Sequence, residues 1–427
     1  MPSKQSSAPL ALRPLALVTA LLPLVLAGCG GGGGGGGALL QSDYFTSVAV
    51  ADLDGDGLPD IAATFTRSSG APPHPGFVAV YLQRRGQRGT FATPVTFAVG
   101  NDPVAIAIGD LDGDGRADIV TANTILATSG AGVSDVSVLR QDPAAPGRFL
   151  SAVSVATGAV PHDVAIGDLD GDGRPDLAVA DAEGLSLRLQ DAGAAGRFGP
   201  RLHVESGGGT ASVAVADLDG DGTADLLATN AEKVLVLRGV PGGAPTFLPP
   251  MRLAAGAQPL HAAAGDLDGD GRLDIAVANY GSPSDPASAS ASVLLQEPAA
   301  PGSFASAVGY ATAWRSGGVA IADLDGDGRA DLAVANSGSL AGLCPPDCGS
   351  AGTGVSVLLQ QPAFAGRLQP AQDYPAVADG FVQWVAVADV DGDGRPDLVI
   401  AQSGGVFVRL QDSANPGQFT GALPVAR

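Results

Sequence analysis

The densest chemistry in the sequence is a nonapeptide, Asp-x-Asp-Gly-Asp-Gly-x-x-Asp, that occurs seven times. Copies begin at Asp52, Asp110, Asp168, Asp217, Asp266, Asp323 and Asp389, with Leu in the second place except for Val390 in the last. Carboxylates at places one, three, five and nine offer hard oxygens. The seventh residue can add its backbone carbonyl, and glycine at the sixth permits a sharp turn. Such a set suits Ca2+ better than Mg2+, which keeps its waters and demands octahedral geometry. The predicted ligands are Asp52, Asp54, Asp56, Leu58 and Asp60; Asp110, Asp112, Asp114, Arg116 and Asp118; Asp168, Asp170, Asp172, Arg174 and Asp176; Asp217, Asp219, Asp221, Thr223 and Asp225; Asp266, Asp268, Asp270, Arg272 and Asp274; Asp323, Asp325, Asp327, Arg329 and Asp331; and Asp389, Asp391, Asp393, Arg395 and Asp397. Up to seven Ca2+ ions are expected. The twelfth position, a bidentate Glu in an EF-hand, is Ala63, Thr121, Val179, Ala228, Val277, Val334 or Ile400, so the ninth Asp must complete the cage and the loop must join strands.

These loops explain the charge. They hold 28 of the 44 acidic residues, and seven divalent cations would bring the formal charge of −21 to about −7. What remains is close to neutral and has no basic patch suited to nucleic acid.

The loops must be positioned by what surrounds them, and that too repeats. Each is preceded by alternating branched and tiny residues, as in Val48-Ala49-Val50-Ala51 or Val385-Ala386-Val387-Ala388, which suits an innermost strand crowded near an axis. A second strand follows (Asp118 to Ala122), then a third (Val136 to Arg140), then a weaker fourth after a Gly-x-Phe turn such as Gly147-Arg148-Phe149. Four strands in about 55 residues make a blade, so the fold class is all-β, a seven-bladed β-propeller of four-stranded antiparallel blades. The seventh unit carries its own fourth strand, from Phe419 to Val425, which leaves the manner of ring closure open.

The Asp loop between two apolar strands, repeated seven times from about residue 45 to the C-terminus, resembles the FG-GAP and VCBS-type repeats of integrin α-subunit propellers and bacterial surface proteins. That resemblance implies a calcium-binding propeller. Its Phe-Gly and Gly-Ala-Pro signatures are reduced here to turns before a Phe, such as Gly89-Thr90-Phe91.

Topology puts the Asp loops on one face of the disc and the segments entering the inner strands on the other. Asp102, Asp163, Phe381 and the candidate ligand residues His162, His261, Trp314, Arg315, Gln383 and Trp384 gather on that second face, with His74 in a longer loop beside them. Insertions concentrated on one side suit a binding face, although Trp384 and Phe381 would equally serve to fill gaps between blades.

Residues 1–28 read as a signal peptide. Lys4 and Arg13 precede an apolar run too short to span a bilayer, and Leu26-Ala27-Gly28-Cys29 resembles the lipobox of bacterial lipoproteins. Cleavage there would leave Cys29 as the lipidated N-terminus of a tether over 29–40 that contains eight consecutive glycines, followed by the propeller over 41–427. The expected location is the bacterial cell envelope, lipid-anchored at the outer membrane. In an oxidising compartment, Cys344 and Cys348 of Cys-Pro-Pro-Asp-Cys are expected to form a local disulfide.

No nucleophile elbow, His-Glu-x-x-His or phosphate-binding loop occurs, and most carboxylates are committed to metal. The reading is a surface binding or adhesion module for an extracellular or periplasmic carbohydrate or protein. The rival is a polysaccharide lyase or hydrolase on the same scaffold, with a His or Tyr, such as Tyr280 or Tyr310, as base.

Overall fold

The structure, a computed structural model, describes residues 42–68, 73–124, 134–282, 285, 288–338, 352–377 and 380–425. The leader, Cys29, the glycine tract, Cys344 and Cys348 lie outside the described residues. Seven four-stranded antiparallel sheets form the blades, each strand pairing with the next along the chain. The first blade comprises Ser42–Ala51, Asp60–Ser68, Gly76–Tyr81 and Val95–Val99. In the sixth, a small hairpin of Gln360–Gln361 and Phe364–Leu368 intervenes before the outer strand Gln372–Pro375.

The inner strands are Ser42–Ala51, Pro103–Gly109, Asp163–Gly167, Ser212–Ala216, Pro259–Gly265, Ser316–Ala322 and Val382–Ala388. Each lies beside the next, and the last lies beside the first. Crowding at the axis explains their tiny residues. A Cβ on Gly167 would come within 2.6 Å of Cγ1 of Val215 on the neighbouring blade, so the approach requires glycine there. Second strands are sandwiched between blades, which makes both their faces apolar: Asp118–Asn123, Asp176–Asp181, Asp274–Asn279 and Asp397–Gln402 are buried at every position.

Seven apolar clusters fill the seven interfaces between blades. Each fully buried Leu, Ile or Val contributes roughly 1.5–3 kcal/mol relative to exposure. The ring closes through one of these clusters, in which Val48, Ile61, Phe65 and Tyr81 of the first blade pack on Val390, Val399, Val408 and Val425 of the seventh. Both blades keep their own four strands, so closure exchanges no strand. The seventh outer strand is only Leu423–Pro424, within the stretch expected from the sequence.

Candidate functional site

Each Asp loop begins with a carboxylate that organises its own backbone. In the second loop, Asp110 Oδ1 accepts from the N–H of Gly113 (2.8 Å) and Asp114 (3.1 Å), while Oδ2 accepts from Gly115 (2.8 Å). Glycines at the fourth and sixth places take left-handed φ, +74° and +82° at Gly113 and Gly115, which lets the chain wrap around that side chain. The ninth Asp anchors the base of the loop. Asp118 Oδ2 accepts from Leu111 N–H (3.0 Å) and Oδ1 from Gln141 N–H (2.8 Å). All seven loops repeat the first of these bonds.

The first, third and ninth Asp converge. In the triads Asp52/Asp54/Asp60, Asp110/Asp112/Asp118, Asp168/Asp170/Asp176, Asp217/Asp219/Asp225 and Asp266/Asp268/Asp274, one oxygen from each residue lies within 4.8 Å of the others, so these clusters can hold a metal ion. Asp112 Oδ1 is buried without a hydrogen-bond partner, an acceptor still free for a cation. Burial is the main cause that pushes Asp60 and Asp331 up to about 7 and Asp118, Asp176, Asp225 and Asp397 up to about 6, with neighbouring carboxylates adding to it. A cation would relieve that crowding.

The fifth Asp stands outside these triads. One of its oxygens accepts from the seventh residue's N–H, as from Leu58 (2.9 Å), Thr223 (2.8 Å) and Arg395 (2.9 Å). In six of the seven loops its other oxygen meets an arginine: Arg85 on Asp56 at 2.7 Å, Arg116 on Asp114 at 2.5 Å, and likewise Arg174 on Asp172, Arg272 on Asp270, Arg329 on Asp327 and Arg395 on Asp393. Asp56 is accordingly held below the usual carboxylate range by its bond to Arg85.

One set of residues escaped the sequence analysis. At the end of the third strand, Gln141 donates through Nε2 to the carbonyl of Leu53, in the Asp loop of the preceding blade, at 2.7 Å. Gln190 reaches Leu111 (2.7 Å), Gln296 Leu218 (2.7 Å), Gln360 Leu267 (2.6 Å), Gln411 Leu324 (2.5 Å) and Gln83 Val390 (2.6 Å), so the last bond joins the first blade to the seventh. Gly239 occupies the position in the fourth blade, whose loop seam has no such bond.

The opposite face has a different character. Around the axis, at the entry to the inner strands, all seven blades line one cavity of about 170 Å3. His162, Asp163, His261, Gln383, Trp384 and Asp102 meet there, as the sequence suggests, together with Tyr44 and Tyr280. His261 and Trp384 pack edge to face with centroids 4.5 Å apart. His261 Nδ1 accepts from Val319 N–H (3.3 Å), which leaves the proton on Nε2, and burial pushes its pKa down to about 4. His162 Nδ1 meets the Thr210 carbonyl (2.8 Å) and so carries the proton; burial lowers its pKa, and its Nε2 is a buried acceptor without a partner. Asp163 accepts from the N–H groups of Val164 (2.9 Å) and Val213 (3.1 Å), and burial raises it to about 7. Gln383 donates to Tyr44 Oη (2.8 Å), closing the rim between the seventh and first blades.

Two candidates are displaced from the cavity. Trp314 lines a separate groove with Asp373 and Tyr374. Arg315 turns in a left-handed conformation (φ 62°), donates to Tyr280 Oη (3.1 Å) and lies on that ring at 5.4 Å, so it packs behind the cavity wall. Tyr310 Oη is occupied as an acceptor from Leu368 N–H (3.3 Å).

The FG-GAP-like repeat profile matches residues 52–121, 124–179, 168–228 and 218–277, and the FG-GAP repeat profile matches 260–295, 317–359 and 381–422. No curated protein sequence matches the chain. Among solved structures, similarity extends to a lectin from Agrocybe aegerita that recognises non-reducing terminal N-acetylglucosamine (19% identity, 89% of this chain and 94% of that one, TM-score 0.52). A protein from Lactobacillus plantarum is similar over 91% of this chain and 97% of its own (13% identity, TM-score 0.53). The rhamnogalacturonan lyase YesW is more distant (16% identity, 84% and 70% coverage, TM-score 0.48). At these identities the likeness is one of fold.

Proposed function

The chain belongs to the FG-GAP repeat family, and from that premise we propose that it is a calcium-stabilised binding module, an adhesion-type lipoprotein that recognises a carbohydrate or protein at the axial mouth of its propeller. The observation that carries this reading is the division of labour between faces: carboxylate triads on one side, and on the other a cavity lined by all seven blades. The all-oxygen donor set favours Ca2+ over softer metals. In this reading Ca2+ is structural, and the anchor on Cys29 holds the module at the outer membrane of a bacterial envelope. Catalysis is disfavoured because both phenols that line the cavity are engaged, Tyr44 by Gln383 and Tyr280 by Arg315, and burial raises the pKa of Tyr280, which keeps it protonated and unavailable as a base.

Native-gel migration through a panel of embedded polysaccharides, with Ca2+ present, tests the proposal. Retardation by an intact polymer supports carbohydrate binding. Shortened polymer would replace the module with an enzyme, and unaltered migration directs the search to a protein ligand, to be sought by pull-down with and without chelator.

A further inference from the structure

The axial cavity has a polarity that narrows what can enter it. At His162 and Asp163 its uncommitted hydrogen-bonding capacity is acceptor, whereas His261 keeps a proton on Nε2. His162 is nine-tenths buried, its Nδ1 proton is used on Thr210, and Nε2 has no partner. Asp163, next in the chain and also buried, spends one bond per oxygen on backbone N–H groups, which leaves each oxygen a further lone pair. Asp102 adds a second carboxylate, paired with His74 (3.1 Å). No lysine or arginine is among the described residues that line the cavity, and the nearby guanidinium of Arg315 is bound behind Tyr280. An anion beside Asp163 would meet a carboxylate with no lysine or arginine of the lining to compensate it, which disfavours anions at that position. A buried acceptor without a partner is costly and gains most from a ligand that donates. The rest of the wall mixes aromatic and aliphatic groups with the hydroxyls of Thr46, Thr66, Ser212 and Ser337, and Trp384 packs edge to face with His261. The volume, about 170 Å3, is similar to that of apolar cavities of about 150 Å3 that hold a benzene-sized molecule.

We propose that this cavity binds a small primary ammonium ion, which donates to His162 Nε2 and the Asp163 carboxylate while its short carbon body packs on Trp384. The inference rests on the axial mouth being the recognition site, and it specifies the group recognised there. Charge-assisted hydrogen bonds to the carboxylate would supply selectivity over an equally shaped neutral molecule.

Isothermal titration of the full-length, Ca2+-loaded chain with n-butylamine, n-butanol and butyrate at pH 8 tests it. The amine should bind about tenfold or more tightly than the alcohol, and butyrate should give no heat. Asp163→Asn and His162→Leu should each weaken the amine about tenfold or more. Because Asp163 also holds Val213, the His162 variant and the three-probe comparison on the unaltered protein carry the test if Asp163→Asn fails to fold. Equal binding of amine and alcohol would overturn the ammonium assignment while leaving an axial binding site. Absence of binding by all three probes, in a protein still retarded by a polysaccharide or still capturing a partner in the pull-down, would overturn it while leaving the binding module; if retardation and capture are absent too, both fall.

Discussion

Truncating Gln141 to alanine should open one seam of the ring. Gln141 is 4% exposed, and its Nε2 donates to the carbonyls of Leu53 at 2.7 Å and Ala117 at 3.2 Å. Leu53 is fully buried between the first two blades, so water cannot readily replace the lost donor. A buried acceptor stripped of its partner costs about 1–3 kcal/mol. With the longer bond to Ala117 weighted at the low end, Gln141→Ala should cost about 2–4 kcal/mol. The backbone N–H of residue 141 still bonds Asp118, so the blade itself should keep its register. The loss should therefore be local. Hydrogen–deuterium exchange with Ca2+ present should accelerate in the peptide around Leu53 and leave the seam at Leu169, which faces Gly239 and has no glutamine to lose, unchanged. A urea midpoint shift equivalent to less than about 0.5 kcal/mol, or faster exchange spread evenly over all seven loops, would refute the idea that the glutamines hold individual seams.

Three further outcomes follow from the loops. Chelation of Ca2+ should lower the thermal midpoint, since uncompensated carboxylates in each triad would repel; an unchanged midpoint would mean that the loops need no metal. In the metal-free protein the raised ninth-position carboxyls, up to about 7 at Asp60 and Asp331 and about 6 at Asp118, make the folded state bind more protons than the unfolded chain. Stability of that form should thus be greatest near pH 4 and fall as pH rises to about 7, while Ca2+ affinity rises over the upper part of the same window, both readable from melting curves with and without the ion. Asp118→Asn should both weaken Ca2+ binding and destabilise the second blade by roughly 1–3 kcal/mol, because an amide NH2 would face the N–H of either Leu111 or Gln141; a variant as stable as the parent under chelation would show that Asp118 serves only the metal.

The blades and triads were legible because they depend on short-range pattern. Alternation around Val48 and Val385 marks inner strands, and the Asp spacing marks the loop, whichever blade it serves. The fifth Asp was less legible, since in five loops its arginine partner at the seventh place looks, in sequence, like a residue that contributes only its backbone. At the mouth, position along an inner strand was a fair guide for His162, His261 and Trp384, but it failed for Trp314. The left-handed turn at Arg315 sends the tryptophan against Gly352 and into a groove away from the axis, and nothing in the local composition announces that turn.

The glutamine seam was hidden for a more general reason. Its bond spans 88 residues from Gln141 to Leu53 and joins a side chain to a backbone carbonyl, so no pairing of residue types betrays it. A weaker trace does exist. Gln83, Gln141, Gln190, Gln296 and Gln411 each stand eight residues before the Phe with which they bridge, at Phe91, Phe149, Phe198, Phe304 and Phe419. In the sixth blade Leu368 takes the place of that Phe, opposite Gln360. A polar residue at fixed distance from a core residue in repeat after repeat, buried where a surface position would be expected, is the signature of an interaction between repeats rather than within one. The fourth blade obeys the rule in reverse: it keeps Phe247 but has Gly239, where a Cβ would lie 2.5 Å from the Ala224 carbonyl. The seam between the third and fourth blades is thus built without the bond, and it is where the ring should open first under denaturant.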